Sequence, residues 1–424
     1  MSSNKNKIIQ IIGLGYIGLP TAATFALNKT QVIGVDVNKK VVEIINKGKI
    51  HISEPNLENI VKTQVKSGRL IARNSITFSD VFIITVPTPF KKVNHEPDLS
   101  YVYEAVDAIA DFLKKGSLII LESTSPVGTT EQIAKRLSRI RKDLKFPLND
   151  GDIKIDVNLA YCPERVLPGN ILNELINNDR IIGGITRACS VKAKKIYETF
   201  LKGNCYITNS RTAEMVKLTE NSFRDVNIAF ANELSILSDK LKINVWELIK
   251  LANKHPRVDI LNPGPGVGGH CIAVDPWFIV NKNPEEAKII RTARMINDKK
   301  ADWVINKVNK LLINFKKNNK PTRIPHLSCY GIAFKPDIDD LRESPAVKIV
   351  SKLLKKKIKV SIVEPNIVKL PNNLNKATLM DASDSLKKAD IHLFLVSHKE
   401  FKKLKPNTSY LIDTVGLFKK NENY

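Results

Sequence analysis

Cys271 stands behind four glycines and two prolines in the run Pro263-Gly264-Pro265-Gly266-Val267-Gly268-Gly269-His270-Cys271. Glycine adopts backbone angles closed to other residues and lets a ligand approach the main chain. Such a run suits neither helix nor strand, so it reads as a shaped loop that presents its cysteine. A thiolate is a strong nucleophile and also leaves well, so it can capture a carbonyl and later release an acyl group. Asp275 follows Cys271 at the reach of one helical turn. Lys217, Asn221 and Arg224 fall at i, i+4 and i+7, so they share a helix face. That face is either simply solvated or closes a cleft.

A second kind of chemistry is written near the start. Ile8 to Ile12 is a short apolar run that ends in Gly13-Leu14-Gly15-Tyr16-Ile17-Gly18, and Pro20 to Leu27 then reads as a helix. Glycines at this spacing make a tight turn and admit a pyrophosphate to the N-terminus of the helix. Gln31 to Val35 predicts the next strand, and Asp36 ends it. A carboxylate there accepts from the adenosine ribose and repels a 2′-phosphate, which favours NAD over NADP.

The elements that must position these groups form three blocks. Val81 to Val86 predicts a buried strand that breaks at Pro87-Thr88-Pro89, and Ser117 to Leu121 leads into Glu122–Thr130. Thr124 in that turn is either a helix cap or a ligand contact. Asn158 to Tyr161 continues the sheet into Cys162–Gly169, whose Glu164 and Arg165 suit a polar ligand. Thr212 to Leu251 predicts long helix, in one or two pieces, and Pro284 to Phe315 predicts another. Lys316 to Pro325 reads as a linker. Leu327 to Phe334, Lys359 to Glu364, Asp390 to Ser397 and Ser409 to Asp413 predict a second parallel sheet. The fold class is therefore α/β, with two Rossmann-like α/β domains joined by a long-helix all-α middle domain. The boundaries fall at 1–209, 210–316 and 317–424.

Composition removes other classes. Hydrophobic residues make up 43% of the 424, yet no apolar run reaches the ~20 residues that a membrane span needs. Glycines interrupt the apolar stretch near the N-terminus and no small-residue cleavage site closes it, which points to a cytoplasmic protein without a signal peptide. The five cysteines lack paired spacing, which argues against a disulfide framework and against a zinc or other metal site. The net charge of +24 comes from lysines spread over the whole chain among abundant Asn and Ile, as base-composition drift produces. No aromatic-basic interleaving or DNA-binding motif accompanies it, so nucleic acid is not expected as a partner.

Taken together, Gly13–Gly18, Glu122–Thr130, Cys162–Gly169, Glu214–Glu233, Gly264–Asp275 and Gly331–Pro345 resemble, in order, the motifs of the UDP-glucose/GDP-mannose dehydrogenase family. The resemblance covers essentially the whole chain and is closest to the bacterial branch acting on UDP-N-acetyl-D-mannosamine. It implies oxidation of a sugar C6 alcohol to a carboxylate, using NAD twice. The product would feed a cell-surface polysaccharide of the enterobacterial common antigen type. It also implies roles for residues. Cys271 would be the nucleophile, Lys217 would stabilise oxyanions and move protons, and Asn221 and Thr124 would hold a water. Glu164 would act as base in thioester hydrolysis, and Asp275 would support the site. Gly13, Gly15, Tyr16, Ile17, Gly18, Asp36, Thr88, Thr124 and Arg342 would bind the cofactor. Lys217, Asn221, Lys335, Arg165, Val166, Arg224, His255, Arg257 and Gly268 would bind a UDP-N-acetylhexosamine, with His255 and Arg257 reaching a neighbouring subunit. The family is generally oligomeric, and the long middle helix offers a homodimer face.

Pro168 departs from the pattern of the glucose-oxidising members, which carry a second Glu there. Proline leaves room for an acetamido group and disfavours a glucose substrate. UDP-N-acetylglucosamine and UDP-glucose are the alternative substrates. A two-electron β-hydroxyacid dehydrogenase would lack both Cys271 and the second α/β unit. A non-catalytic NAD-binding protein would not need Cys271, Lys217 and Glu164 together.

Overall fold

The computed structural model describes residues 7–91, 94–167, 169–319, 323–406 and 410–418. Its contacts divide the chain into two compact units, one up to Thr219 and one from Glu220 onward. No helix among the described residues is long and apolar enough to cross a membrane.

The first unit is organised on short apolar runs, which become strands buried on both faces of a largely parallel sheet. β1 (Ile8–Ile12), β2 (Gln31–Val35), β3 (Leu70–Arg73), β4 (Val81–Ile84), β5 (Leu118–Leu121), β6 (Asn158–Tyr161), β7 (Arg180–Gly184) and β8 (Cys205–Asn209) form one eight-stranded sheet. The order is β3-β2-β1-β4-β5-β6-β7-β8, and only the β6–β7 pair is antiparallel. The order reverses between β1 and β4, and ligands bind at such a reversal, outside the carboxyl ends of the strands. The helix Gly18–Leu27 is almost wholly buried, and its small residues Ala22, Ala23 and Ala26 let it lie close to the sheet.

Beneath the strand ends lies a buried polar knot. Glu122 Oε1 accepts from Arg180 Nη1 at 2.9 Å and from Tyr197 OH at 2.7 Å, and the guanidinium stacks 4.2 Å from the Tyr197 ring centroid. Burial pushes the neighbouring Cys162 thiol far up, so it is inert filler.

The second unit carries β9 (His326–Tyr330), β10 (Lys359–Val363), β11 (Thr378–Leu379), β12 (Ile391–Phe394) and β13 (Leu411–Asp413), in the parallel order β11-β10-β9-β12-β13. Ser409, expected at the start of the last strand, lies outside the described residues, as do residues 320–322 of the expected linker.

The long helix runs Ser210–Leu241 and stops where Lys242 turns left-handed, with φ at 59°. Asn244 then caps the helix Val245–Ala252, its side chain accepting from Trp246 N at 3.0 Å. The expected 212–251 helix is thus two pieces, divided by a lysine in a conformation that its type rarely takes. A further helix, Asp275–Lys282, was not expected. Its signal is an acid followed by proline in the first turn. The second long helix is Lys288–Asn318, so it ends beyond the expected Phe315.

The two long helices are tied by buried polar side chains. Arg294 Nη1 donates to Asp225 Oδ1 at 2.6 Å, and Asn297 Nδ2 donates to the same oxygen at 2.8 Å. Burial lifts Asp225 to about 6 despite Arg294 beside it. Arg294 Nε and Asp225 Oδ2 are left without partners, so the pair is only partly compensated. Removing one partner strands a charge, whereas replacing both with apolar groups is often neutral. Arg294→Met is expected to cost about 3–5 kcal/mol and to lower Tm. The double change Asp225→Leu/Arg294→Met should recover most of that loss in thermal unfolding.

Candidate active site

In the first unit, β1 ends at Gly13, whose φ is 94°. A Cβ on Gly18 would sit 1.8 Å from Gly13 O, so the turn and the helix start close on each other only with glycine there. A Cβ on Gly15 would meet nothing within 4 Å, which leaves that backbone open to a ligand. The helix Gly18–Leu27 has no side-chain cap and no acid in its first turn, as an anion site requires. Asp36 Oδ2 accepts from Leu14 N at 3.0 Å and Oδ1 from Asn38 N at 2.8 Å, which fixes the carboxylate beside the glycine turn. The glycine cradle and the carboxylate fit NAD.

Two residues at this site escaped the sequence reading. Thr85 Oγ1 donates to Gly13 O at 2.7 Å and so ties the turn to the end of β4. His51 lies beside Asp36. Burial pushes its imidazole below the usual value, partly offset by the Asp36 charge, and its Nδ1 is buried without a partner.

Thr88 and Thr124 are half-buried in the loops after β4 and β5. Ser123 Oγ bridges these loops by donating to Val86 O at 2.6 Å. The helix Thr129–Ile140 starts from Gly128 and is capped by a distant carboxylate. Fully buried Glu214 of the long helix accepts from Gly128 N at 2.5 Å, Thr130 N at 2.8 Å and Thr130 Oγ1 at 2.7 Å.

One turn further on, buried Lys217 donates to the Glu164 carbonyl. The Glu164 carboxylate accepts from Val166 N. Burial raises its pKa, and the charges of Lys217 and Arg180 only partly offset this. A carboxyl held up in this way is suited to proton transfer. The Arg165 guanidinium donates to Asp179 O at 3.0 Å. Pro168 lies outside the described residues.

In the second unit the cysteine loop packs on the Gly331–Pro345 segment, so two motifs far apart in sequence meet. A Cβ on Gly268 would stand 2.8 Å from both Phe334 Cβ and Pro345 Cδ. Gly269 has φ at 84°, and its N–H donates to Arg342 O at 3.0 Å. Cys271 is half-buried. Its carbonyl accepts from Val274 N at 2.9 Å and from Asp275 N at 2.8 Å, so it opens the turn that starts the helix Asp275–Lys282. Asp275 is buried, and its Oδ2 accepts from Asn221 Nδ2 at 2.5 Å. The sequence spacing had grouped Arg224 with Asn221. Arg224 is exposed, and the buried neighbour on the helix is Asp225.

His255 and Arg257 are exposed on the loop after Val245–Ala252, with Arg257 N donating to His255 Nδ1 at 3.3 Å. Lys335 is half-buried. Arg342 is exposed, with its guanidinium on Asp340 at 2.6 Å. Among the described residues no group of His, Cys, Asp and Glu is placed to hold a metal.

A dinucleotide cradle, a glycine-presented cysteine and a second Rossmann-like half define an NAD-binding oxidoreductase. The family's NAD-binding, central and UDP-binding domain profiles match residues 7–201, 211–299 and 328–420. The chain belongs to the UDP-glucose/GDP-mannose dehydrogenase family. It is 59% identical over 400 residues to a UDP-N-acetyl-D-mannosamine dehydrogenase of Campylobacter jejuni, covering 93% of this chain and 96% of the relative. It is 55% identical over 417 residues to the enzyme of that name from Yersinia pestis, covering 97% and 99%. A solved UDP-D-ManNAc dehydrogenase from Pyrococcus horikoshii superposes with a TM-score of 0.87 at 37% identity, covering 97% of this chain and 96% of that one.

With Asp36 fixed by two backbone donors beside the glycine turn, NAD is expected to exceed NADP by at least ~10-fold in kcat/KM. A carboxylate facing a 2′-phosphate costs roughly 1.4 kcal/mol or more. Initial rates with both cofactors measure this, and equal values would overturn it.

Proposed function

We propose that the chain oxidises the C6 alcohol of UDP-N-acetyl-D-mannosamine to the carboxylate through a covalent intermediate on Cys271. The observation that carries the reading is the cysteine loop itself: glycines that admit no side chain against Phe334 and Pro345, and a helix start locked by Asp275 and Asn221. The relatives named above support the sugar.

NAD, when bound, supplies the hydride acceptor, once for each of the two oxidations. The chain's residues do the rest. The alcohol loses its proton and a hydride and becomes an aldehyde. The Cys271 thiolate adds to the aldehyde carbon, and the resulting thiohemiacetal oxygen carries the charge that Lys217 stabilises. Loss of the second hydride leaves a thioester. Glu164 takes a proton from the attacking water, the C–S bond breaks, and the acid leaves with the thiol restored. Asn221 and Thr124 hold the water, and Asp275 orients Asn221. Gly13, Gly15, Tyr16, Ile17, Gly18, Asp36, Thr88, Thr124 and Arg342 bind the cofactor. Arg165, Val166, Lys217, Asn221, Arg224, His255, Arg257, Gly268 and Lys335 bind the nucleotide sugar. The three-part division at 1–209, 210–316 and 317–424 belongs to the same reading, as does work in the cytoplasm on a precursor of cell-surface polysaccharide.

Initial NADH rates with UDP-N-acetylmannosamine, UDP-N-acetylglucosamine and UDP-glucose at equal concentration test the substrate. The first should be fastest and the last near background. UDP-glucose matching the best rate would sink the acetamido assignment, and UDP-N-acetylglucosamine winning would sink the epimer. Cys271→Ala should abolish acid formation while still binding NAD.

We also propose a homodimer built on the long helix. Phe223, Phe230, Leu237 and Leu241 are exposed by 70%, 52%, 46% and 65%, and their spacing aligns them along one side of Ser210–Leu241. An apolar stripe of that length normally marks an interface, and a second copy of the same stripe matches it through a two-fold axis. Phe223→Asp/Phe230→Asp is expected to halve the mass seen by sedimentation. An unchanged mass would remove the stripe from the interface.

A further inference from the structure

Behind the cysteine loop, on the side of Pro263, the second unit holds a cavity of about 450 Å³. Its walls come from the long helix (Ser235, Ser238), the second long helix (Lys300, Trp303) and the C-terminal end of β13. Lys300 is only 2% exposed. Its ammonium donates to Ser235 Oγ and weakly to Asn232 O at 3.4 Å, and it lies 3.7 Å from the Trp303 ring centroid. Among the described residues no carboxylate pairs with it. A buried ammonium has three protons to place and loses its hydration, which a neutral hydroxyl and a ring face only partly replace. Desolvation accordingly pulls Lys300 down to about 7.

The surrounding charges do not neutralise it. Asp239 of the long helix is taken by Lys307, and the Asp413 carboxylate accepts from Val415 N at 3.0 Å, Gly416 N at 2.8 Å and Phe418 N at 2.8 Å. Lys310 at the mouth is exposed and has no ion pair among the described residues. Ser238 is an independent pointer. It is 3% exposed, lines the cavity, and its hydroxyl makes no hydrogen bond among the described residues. Ser238 and Lys300 thus line the same cavity, a hydroxyl beside a cation. The remaining lining is largely apolar, including Ile243, Leu311 and Trp246.

We infer that this cavity is a binding site for a small organic anion, whose carboxylate or phosphate pairs with Lys300 and accepts from Ser238 while its apolar body fills the rest. The site is separate from the cysteine face of the loop. It is also one residue away from the loop: Asn232, whose carbonyl faces Lys300, accepts from Gly264 N through Oδ1 at 2.9 Å.

Calorimetric titration tests the site on the full-length protein saturated with NAD and UDP, so that the phosphate sites of the proposed function are full. The probes are phenyl phosphate, benzoate and inorganic phosphate. Phenyl phosphate or benzoate is expected to bind with one site per chain and at least 10-fold more tightly than inorganic phosphate. Whichever of the two wins identifies the headgroup. Lys300→Met should weaken that binding at least 10-fold. Ser238→Leu, which fills the cavity and leaves Lys300 in place, should abolish it and covers the case in which Lys300→Met does not fold. No saturable binding by either aromatic probe, or binding unchanged in Ser238→Leu, overturns the proposal. Neither result bears on UDP-sugar oxidation, because the readout is heat and not NADH.

Discussion

Burying a polar side chain inside protein costs free energy unless it finds a partner. The long helix Ser210–Leu241 buries nine of them along its length: Ser210, Glu214, Lys217, Asn221, Ser222, Asp225, Asn232, Ser235 and Ser238. Nearly every local arrangement described above answers one of these demands. Glu214 is satisfied by a helix start, Lys217 by the carbonyl of a strand-end loop, and Asn221 by Asp275. One oxygen of Asp225 is met by the second long helix, and Asn232 is satisfied by that helix and the glycine loop. An apolar helix of the same length could slide or rotate against its neighbours at little cost. This one is held by the specific pairings just named. The loops it meets are therefore positioned by specific pairings as well as by packing.

The two Rossmann-like halves solve the same local problem and then diverge. In the first, Gly13 ends β1 and the Asp36 carboxylate at the end of β2 accepts from Leu14 N. In the second, Gly331 ends β9 and the Glu364 carboxylate just after β10 accepts from Ile332 N at 2.8 Å and Ala333 N at 3.0 Å. Glu364 is buried and also meets His398 Nε2 at 3.1 Å. Burial pushes it up, but His398 and the two backbone donors outweigh that and hold it below the usual carboxylate range. Its acceptor sites are taken by the protein. Asp36 is only half-buried, and each of its oxygens meets a single backbone donor. A shared scaffold thus yields one half-exposed carboxylate and one enclosed by the fold.

Most strands of both sheets could be read from the chain because a parallel strand buried on two faces is a continuous apolar run, as Val81–Ile84 and Leu118–Leu121 are. β3, β7, β8 and β11 were missed; β3 ends in an arginine and β11 is two residues long. β7 ends in two glycines, and β8 is an edge strand with no fully buried residue, so neither shows that run. The strand, glycine turn and helix at Ile8–Leu27 were legible because glycines at that spacing have few other structural uses. Thr85 and Glu214 were not, because each bonds a partner dozens of residues away and is an ordinary residue in its own neighbourhood. The Arg224 grouping shows the limit of periodicity: a spacing of seven or eight both fit one face, and only packing selects Asp225 for burial.

Asn is abundant in this chain, and most of that abundance reads as drift in base composition. Asn232 does not belong to that drift. Its Nδ2 donates to Asn297 Oδ1 at 2.8 Å, its Oδ1 accepts from Gly264 N, and its carbonyl faces Lys300. Aspartate would set an acceptor against Asn297 Oδ1, leucine would leave both neighbours unpaired, and glutamine would overreach by a methylene. Codon bias can move surface positions freely towards asparagine, but nothing can move this one away. A lineage of such proteins diverging in composition would be expected to keep the same amide here while its other asparagines come and go.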